Sequence, residues 1–319
     1  MRVESGELKD ESRVVCLTLH SPLSTLNSKK GVAMPIDASF PNLGISFTHL
    51  PRVAFEIFGL PIYLYGMFIT IGVVGGILYA YLEAKRTNQN HEIYFDFTVY
   101  ALPVCIIGLR IYYVAFSWDM YKDNLWSVFN LREGGLAIYG AIISAVVTAI
   151  IYTRIKKIRF GLFADTAAPA LLLGQVIGRW GNFFNREAFG TYTDGLFALR
   201  YLESTVGDIP EVVKEKAFMI DGFSYIQVHP AFLYESLWNL LLFVFLNVYK
   251  NRKKFDGEIL LLYLFGYGVG RIWIEGLRTD NLLLWGTSLA VSQLLSGLLV
   301  ILATVIIFVK RKRAKNFIS

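Results

Sequence analysis

The clearest evidence for the architecture is an uncharged stretch at residues 134–153, GGLAIYGAIISAVVTAIIYT. Its length matches the roughly 20 apolar residues with which a helix crosses the hydrocarbon core of a bilayer. The basic segment RIKKIR follows at 154–159, and a second apolar stretch runs over 162–182. Two long apolar stretches joined by a short basic loop are typical of a chain that crosses a membrane repeatedly.

The same pattern extends over most of the 319 residues, of which 55% are hydrophobic. This composition excludes an ordinary soluble enzyme. The sequence predicts an all-α polytopic membrane protein with about seven transmembrane helices. The predicted spans are 57–82, 94–117, 134–153, 162–182, 231–249, 258–275 and 285–309.

The positive charges are distributed between alternate loops, so the net charge of +6 does not indicate a nucleic-acid partner. Basic clusters follow the first, third, fifth and seventh spans, and loops rich in Lys and Arg stay in the cytoplasm. We therefore expect the N-terminus outside and the C-terminus inside. The clusters are Lys85 and Arg86; Arg154, Lys156, Lys157 and Arg159; Lys250, Arg252, Lys253 and Lys254; and Lys310, Arg311, Lys312, Arg313 and Lys315.

Two regions lie outside the predicted spans. Residues 1–50 form a polar leader, either a disordered tail or, for 1–33, an artefact of start assignment with translation beginning at Met34. Residues 51–319 form the membrane-embedded domain, with an extracytoplasmic insertion at about 183–228. The segments FALRYLE (197–203) and FSYIQVHP (223–230) resemble strands, and a short helix is predicted between them. A small mixed subdomain is the expected result.

Besides Asp96, Asp165 and Glu258 at or near the starts of their spans, five charged residues lie inside the predicted spans. Each costs at least about 2.5–3.5 kcal/mol near the bilayer centre, so each needs a partner and is a candidate for function. The predicted orientation places most of them in the outer half of the membrane. They are Arg110, Arg179, Glu235, Arg271 and Glu275.

Helical spacing brings several of these residues onto common faces. Tyr267, Arg271 and Glu275 are four residues apart, and Arg179 and Asn182 are three apart. One interpretation is that Arg271 and Glu275 only neutralise each other. The alternative is that three arginines against two acids leave a positive excess, which calls for an anionic ligand. Because the planar guanidinium suits phosphate, a phospholipid headgroup is the expected anion.

Five segments of the sequence form a recognisable set of motifs: YLYGMF (63–68), EGGLAIYGAIIS (133–144), GRWGNFFNREAFG (178–190), VHPAFLYES (228–236) and GYGVGRIWIEGLRTD (266–280). In this order they resemble the motifs of the prolipoprotein diacylglyceryl transferases. The resemblance depends most on GRWGNFFNREAFG, the signature segment, and covers about residues 55–309.

The resemblance implies a bacterial cytoplasmic-membrane enzyme whose active site faces outward among membrane lipids. It would transfer the diacylglyceryl group of phosphatidylglycerol to the lipobox cysteine of a prolipoprotein signal peptide, without a cofactor. Arg179 and Arg271 would be the essential arginines, with Glu275 beside them. The remaining implied site residues are Asn182, Glu187, Gly190, Tyr65 and Tyr267.

One departure concerns the base. Many members of the family carry a histidine where this chain has Tyr139, so a histidine base at that position is excluded. Either Tyr139 accepts the thiol proton, or the positive site lowers the thiol pKa enough that no base is needed. His229 is the only histidine in a matching segment, and a structural hydrogen bond is the favoured interpretation for it.

Two other classes would also place charges in spans. A secondary transporter should show repeat symmetry or interrupted helices, and neither is visible in the sequence. An intramembrane protease would need a Ser/His or paired-Asp site, and His229 is the only histidine near the outer face. No metal or cofactor is expected, because no residues have metal-ligand spacing.

Overall fold

The computed structural model describes residues 18–19, 34–130, 134–281 and 289–316. These residues form two compact units. The sheet unit contains the described residues up to Gly66, together with Gly181–Leu233 and Leu277–Asp280. The helical unit contains the described residues from Met67 to Trp180, from Tyr234 to Gly276, and from Asn281 onward.

Long apolar helices build the helical unit. Six helices of the described residues are long and apolar enough to cross a membrane, which makes the chain a polytopic membrane protein. The α-helices of the described residues are α1 Leu64–Arg86, α2 Glu92–Phe116, α3 Ile138–Ile155, α4 Phe160–Asn185, the short α5 Glu211–Lys214, α6 Ala231–Tyr249, α7 Glu258–Glu275 and α8 Val291–Asn316. The six apolar helices are α1–α4, α6 and α8.

The predicted spans differ from the helices mainly at their ends. The spans predicted at 231–249 and 258–275 coincide with α6 and α7. The first predicted span begins seven residues early, at 57, because residues 53–63 form a hairpin before α1 starts at Leu64. Helix α7 contains three charged residues, Glu258, Arg271 and Glu275, and is not among the six apolar helices. A seventh span therefore stays a prediction.

Glycines allow the helices to approach each other closely. A Cβ atom on Gly72 of α1 would lie 2.8 Å from the carbonyl oxygen of Gly174 in α4. On α7, Gly270 lies directly against the ring of Trp238 from α6, whose Nε1 donates to the Gly266 carbonyl at 2.9 Å. Small residues at such contacts let helix backbones pack tightly, which is how helices associate in lipid.

Buried carboxylates connect helix ends that are distant in sequence. Each of three acids is buried and accepts from a basic side chain of a later segment, which compensates its charge. The pairs are Glu83 with Lys250 at 2.6 Å, Asp165 with Lys253 at 2.9 Å, and Glu258 with Arg311 Nε at 2.7 Å.

The sheet unit contains a six-stranded antiparallel sheet and a two-stranded hairpin. The strands of the described residues are β1 Thr18–Leu19, β2 Ala38–Phe40, β3 Ile45–Phe47, β4 Val53–Ile57, β5 Leu60–Tyr63, β6 Leu199–Leu202, β7 Phe218–Ile220 and β8 Phe223–Val228. The order in the larger sheet is β1-β3-β2-β6-β8-β7, and β4 pairs with β5. The core of the sheet unit contains Phe183, Leu199, Tyr201 and Ile226.

The strands predicted at 197–203 and 223–230 are confirmed as β6 and β8, with the one-turn helix α5 between them. Part of the polar leader is folded as well, since β2 and β3 lie within residues 38–47 and Ala38 is fully buried. Strands of three residues are too short to give a clear alternating pattern, so the sequence did not reveal them. The start-site prediction for 1–33 lies outside the described residues, except for Thr18–Leu19.

Candidate functional site

Four charged side chains of the helical unit form a continuous chain of ion pairs. Arg179 of α4 contacts Glu235 of α6 through Nη2 and Oε2, at 2.5 Å. The other oxygen of Glu235 accepts from Arg271 Nη1 of α7 at 3.0 Å. Arg271 Nη2 then pairs with Glu275 one turn further along α7. One carboxylate therefore holds both guanidinium groups side by side.

Burial makes this pairing necessary. Glu235 is 3% exposed and Glu275 is 6% exposed, so neither carboxylate has water to solvate its charge. The hydroxyl of Ser292 on α8 donates to Glu275 Oε1 at 2.6 Å. This hydrogen bond fixes the Glu275 end of the chain of ion pairs. Helices α4, α6, α7 and α8 thus all contribute to one polar cluster of the helical unit.

The two arginines keep donors available for a ligand. Among the described residues, Arg179 is paired through Nη2 alone, and Arg271 through Nη1 and Nη2. Nε and Nη1 of Arg179 and Nε of Arg271 therefore have no protein partner in the described part of the chain. The Arg179 side chain is 23% exposed. Donors of this kind can bind the oxygens of a phosphate.

The predicted excess of arginine over acid is wrong for this cluster, because Arg110 has another role. Arg110 is buried, and its guanidinium donates to five backbone carbonyls at 2.6–3.1 Å. The remaining two arginines face two glutamates, so the cluster is balanced in charge. Every residue has a backbone carbonyl, so the sequence does not show which carbonyls accept hydrogen bonds from an arginine. The count of arginines against acids therefore assigned Arg110 to the wrong cluster. The acceptors are Ser127, Val128, Asn130, Gly134 and Gly135.

The two tyrosines predicted for this region differ in their surroundings. The ring of Tyr267 stacks on that of Tyr263, one turn away on α7, with a centroid distance of 5.7 Å. Tyr139, near the start of α3, interacts electrostatically with both Arg271 and Glu275. Tyr139 is thus close to the ion-pair chain, whereas the described ring contact of Tyr267 is with its own helix.

Residues 181–190 of the signature segment lie in the sheet unit, where they form a polar cluster. Glu187 Oε1 accepts from the amide of Asn182 at 2.9 Å, and Oε2 accepts from that of Asn185 at 2.5 Å. The chain turns sharply here, since Arg186 and Ala188 both have φ of 54°. Residues with side chains rarely adopt this left-handed backbone, so the turn is held by its surroundings.

Gly190 and His229 lie together where three backbone segments meet. The Gly190 amide donates to the His229 carbonyl at 2.9 Å, and Gly190 forms an isolated antiparallel β-bridge with Arg278. A Cβ atom at Gly190 would lie 2.6 Å from the Leu277 carbonyl oxygen and 2.8 Å from His229 Cβ. Gly190 is therefore required for packing. Burial lowers the pKa of the His229 imidazole below its ordinary value of 6.5.

Of the predicted site residues, Arg179, Arg271 and Glu275 meet in one cluster of the helical unit. Asn182 meets Glu187 in the sheet unit, where the ring of Tyr65 also lies against Gly181. Glu235 joins the two arginines, although the sequence analysis named it only among the charges inside the spans and not among the implied site residues. Its signal was present, because Glu235 is the one charged residue in α6.

The fold and this cluster define a class: a polytopic membrane protein with two half-buried arginines, paired with buried glutamates among its helices, that keep donors for an anion. Comparison with known families narrows the class. The family model described as "Prolipoprotein diacylglyceryl transferase" matches residues 52–309. The chain belongs to this family.

Several curated proteins are similar over most of their length, and each is named phosphatidylglycerol–prolipoprotein diacylglyceryl transferase. The protein from Listeria welshimeri is 44% identical over 269 residues, covering 84% of this chain and 93% of the relative. That from Finegoldia magna is 44% identical over 265 residues, with 83% and 97% covered. That from Oceanobacillus iheyensis is 41% identical over 264 residues, with 82% and 89% covered.

Proposed function

We propose that this chain transfers the diacylglyceryl group of phosphatidylglycerol to the thiol of a lipobox cysteine in a prolipoprotein. The carbon–sulfur bond of a thioether forms, the bond between the glycerol carbon and the phosphate oxygen breaks, and glycerol phosphate leaves. Membership of the family and the names of the relatives support the reaction. The observation that carries the proposal for the site is the pair of arginines bridged by Glu235.

The arginines would act on the leaving phosphate. Negative charge grows on the phosphate oxygen as the carbon–oxygen bond breaks, so donors already held in place stabilise the transition state more than the starting diester. Glu235 fixes Arg179 and Arg271 side by side, and Glu275 holds Arg271 from the other side. Because the cluster is balanced in charge, binding depends on the unpaired donors rather than on a net positive field.

The thiol must lose its proton before it attacks. A free cysteine thiol has a pKa of about 8.5, and only the thiolate is a competent nucleophile. We favour a route in which the unpaired guanidinium donors of Arg179 and Arg271, rather than a net positive field, stabilise the thiolate and so lower the thiol pKa, and no dedicated base is needed. Tyr139 is then a positioning residue that hydrogen-bonds substrate near Arg271, and it is the alternative base if that route fails.

The sheet unit would contribute the remaining substrate contacts. Asn182 and Glu187 are proposed to bind the glycerol or phosphate part of phosphatidylglycerol, because their side chains are already oriented by mutual hydrogen bonds. Tyr65 and Tyr267 are proposed to contact the same lipid. For Gly190 and His229 we propose an indirect role, since their backbones hold the signature segment in place.

The basic loops support a placement in the bacterial cytoplasmic membrane with the N-terminus outside. In this arrangement α7 is a seventh span, and the insertion at about 183–228 and the active site face the extracytoplasmic side. The polar leader up to residue 50 and the membrane-embedded remainder are proposed as the two regions of the chain.

A transfer assay with purified protein in phosphatidylglycerol vesicles tests the proposal. The acceptor is a lipobox peptide with its cysteine, and the same peptide with Cys→Ser is the acceptor control. We expect a mass gain of one diacylglyceryl group on the cysteine peptide alone. Arg271→Lys should lower the rate by about 100-fold or more, because a point charge cannot replace the planar fork.

The matched control makes the same substitution at an exposed arginine. Arg154 lies near the end of α3 with its side chain exposed, so Arg154→Lys should transfer at the wild-type rate. Transfer to the Cys→Ser peptide would exclude the thioether reaction. Equal rates for both lysine variants, with equal amounts of folded protein, would refute the role given to Arg271.

A further inference from the structure

A cavity of about 300 Å³ in the sheet unit lies beside the signature segment, and of the residues that line it only Glu187 has a part in the reaction as described. Its volume is at the lower end of the range of roughly 300–1,000 Å³ for small-ligand pockets. It can hold a short length of backbone and side chain, but not a folded partner. The lining includes Arg52, Arg186, Glu187, Asp208, Thr279 and Asp280.

Two arginines provide hydrogen-bond donors in this lining. Arg186 is 5% exposed and is held by the Leu50 carbonyl at 2.5 Å and by Asp37 at 3.2 Å. Arg52 donates through Nη2 to the Thr205 carbonyl at 2.7 Å. In the described part of the chain, the Nε atom of each arginine is buried without a hydrogen-bond partner. An unpaired buried donor of this kind is costly, and a ligand acceptor would relieve the cost.

Carboxylates provide acceptors in the same lining. Asp208 is exposed and has no ion pair among the described residues. Asp280 is held by Arg278 through two contacts at 2.9 and 2.6 Å. Both oxygens of Glu187 accept from asparagine amides. The cavity thus offers donors and acceptors together, in nearly balanced charge.

A polypeptide backbone matches this arrangement, because each residue carries one donor and one acceptor. A phosphate would meet three carboxylates, and a simple cation would meet two arginines. Two stretches of sequence that line the cavity also contain residues of the proposed active site. Glu187 belongs to the segment that contains Arg179, and Thr279 and Asp280 follow Glu275, the last residue of the ion-pair chain.

We infer that this cavity binds the first residues of the acceptor polypeptide that follow its cysteine, in extended form. The inference rests on the proposed function, since it assigns the acceptor's position in that reaction. The donors of Arg52 and Arg186 would bind acceptor carbonyls, and Asp208 would accept from an acceptor amide. Contacts to backbone groups would let one cavity serve prolipoproteins of different sequence.

Filling the cavity tests the inference. Thr279→Trp adds a large side chain to the lining and removes only a weak hydrogen bond of 3.4 Å to the Phe189 carbonyl. We expect the KM for the lipobox peptide to rise about tenfold, a loss of about 1.4 kcal/mol of binding. The KM for phosphatidylglycerol and kcat at saturating peptide should stay within a factor of two.

The matched control is Ser204→Trp. Ser204 is exposed and lines the neighbouring cavity of the sheet unit, which Thr279 does not line. Ser204→Trp should leave the KM values for the lipobox peptide and for phosphatidylglycerol unchanged. An unchanged peptide KM in Thr279→Trp, or a raised KM for phosphatidylglycerol instead, overturns the inference while the reaction stands. No transfer by the folded wild type to any acceptor overturns the proposed function itself.

Crosslinking provides a second test that does not depend on folding of a variant. A lipobox peptide with a photoreactive residue two positions after the cysteine is irradiated with the wild-type protein in vesicles. Mass spectrometry should find the crosslink within residues 207–210 or 279–280. Crosslinks that map only to other segments would overturn the inference.

Discussion

Replacing Glu235 with Gln changes the one carboxylate that holds both arginines of the ion-pair chain. Glutamine has nearly the same shape and keeps one acceptor oxygen. Its NH₂ group replaces the other oxygen and would face a guanidinium donor, 2.5 Å or 3.0 Å away in the wild type. One arginine therefore keeps a weakened hydrogen bond, and the other loses its contact with residue 235.

The size of the effect follows from burial. Breaking a buried ion pair costs about 3–5 kcal/mol. The lower end applies here, because Arg179 is 23% exposed and can turn toward solvent. If about 3 kcal/mol is lost from the transition state, kcat/KM falls by about 100-fold, since each 1.4 kcal/mol corresponds to a factor of ten.

The measurement is kcat/KM for the lipobox peptide in phosphatidylglycerol vesicles, with thermal unfolding followed in parallel. Glu83→Gln is the matched control, because Glu83 is also buried and also paired with two basic groups, Arg86 and Lys250. It should lower the thermal stability and leave kcat/KM nearly unchanged. The reasoning is refuted if the Glu235 variant retains kcat/KM within threefold, or if both variants lose activity equally.

Three further outcomes follow from the site. Tyr139→Phe should keep the acidic limb of the pH–rate profile, and loss of that limb would identify Tyr139 as the base. Gly190→Ala should cost about 1–3 kcal/mol of stability in thermal unfolding, because the new Cβ meets the Leu277 carbonyl; Gly207→Ala, with no atom within 4 Å, should cost almost nothing. Burial lowers the pKa of His229 in the folded protein, so below about pH 6.5 the unfolded protein binds more protons at this residue than the folded protein does. The free energy of unfolding should therefore fall as the pH decreases below about 6.5, and His229→Gln should reduce that fall in thermal unfolding.

The sequence predicted the parts of the fold that follow from long-range composition. The bounds predicted at 231–249 and 258–275 match those of α6 and α7. For α6 the reason is that apolar length is a strong signal in a membrane chain, whereas α7 carries three charged residues and its crossing of the membrane stays a prediction. The strands within residues 38–47 gave no comparable signal. Strand β2 is held between β3 and β6, and its pairing with β6 depends on a partner that lies far away in sequence.

The site was predicted in part for a similar reason. The spacing of four residues correctly paired Arg271 with Glu275 on one helix. The bridge through Glu235 could not be read from spacing, because it joins α4, α6 and α7. For Arg110 the sequence showed the charge but not its partners. Those partners are backbone carbonyls, which every sequence contains.

The order of the ion-pair chain also constrains how the protein is made. Arg179 is synthesised 56 residues before Glu235, and Arg271 follows 36 residues later. Helix α4 therefore leaves the ribosome with an arginine whose partner does not yet exist, and a lone charge resists entry into lipid. Its final placement must wait for α6 and α7, so this part of the bundle is completed late in translation.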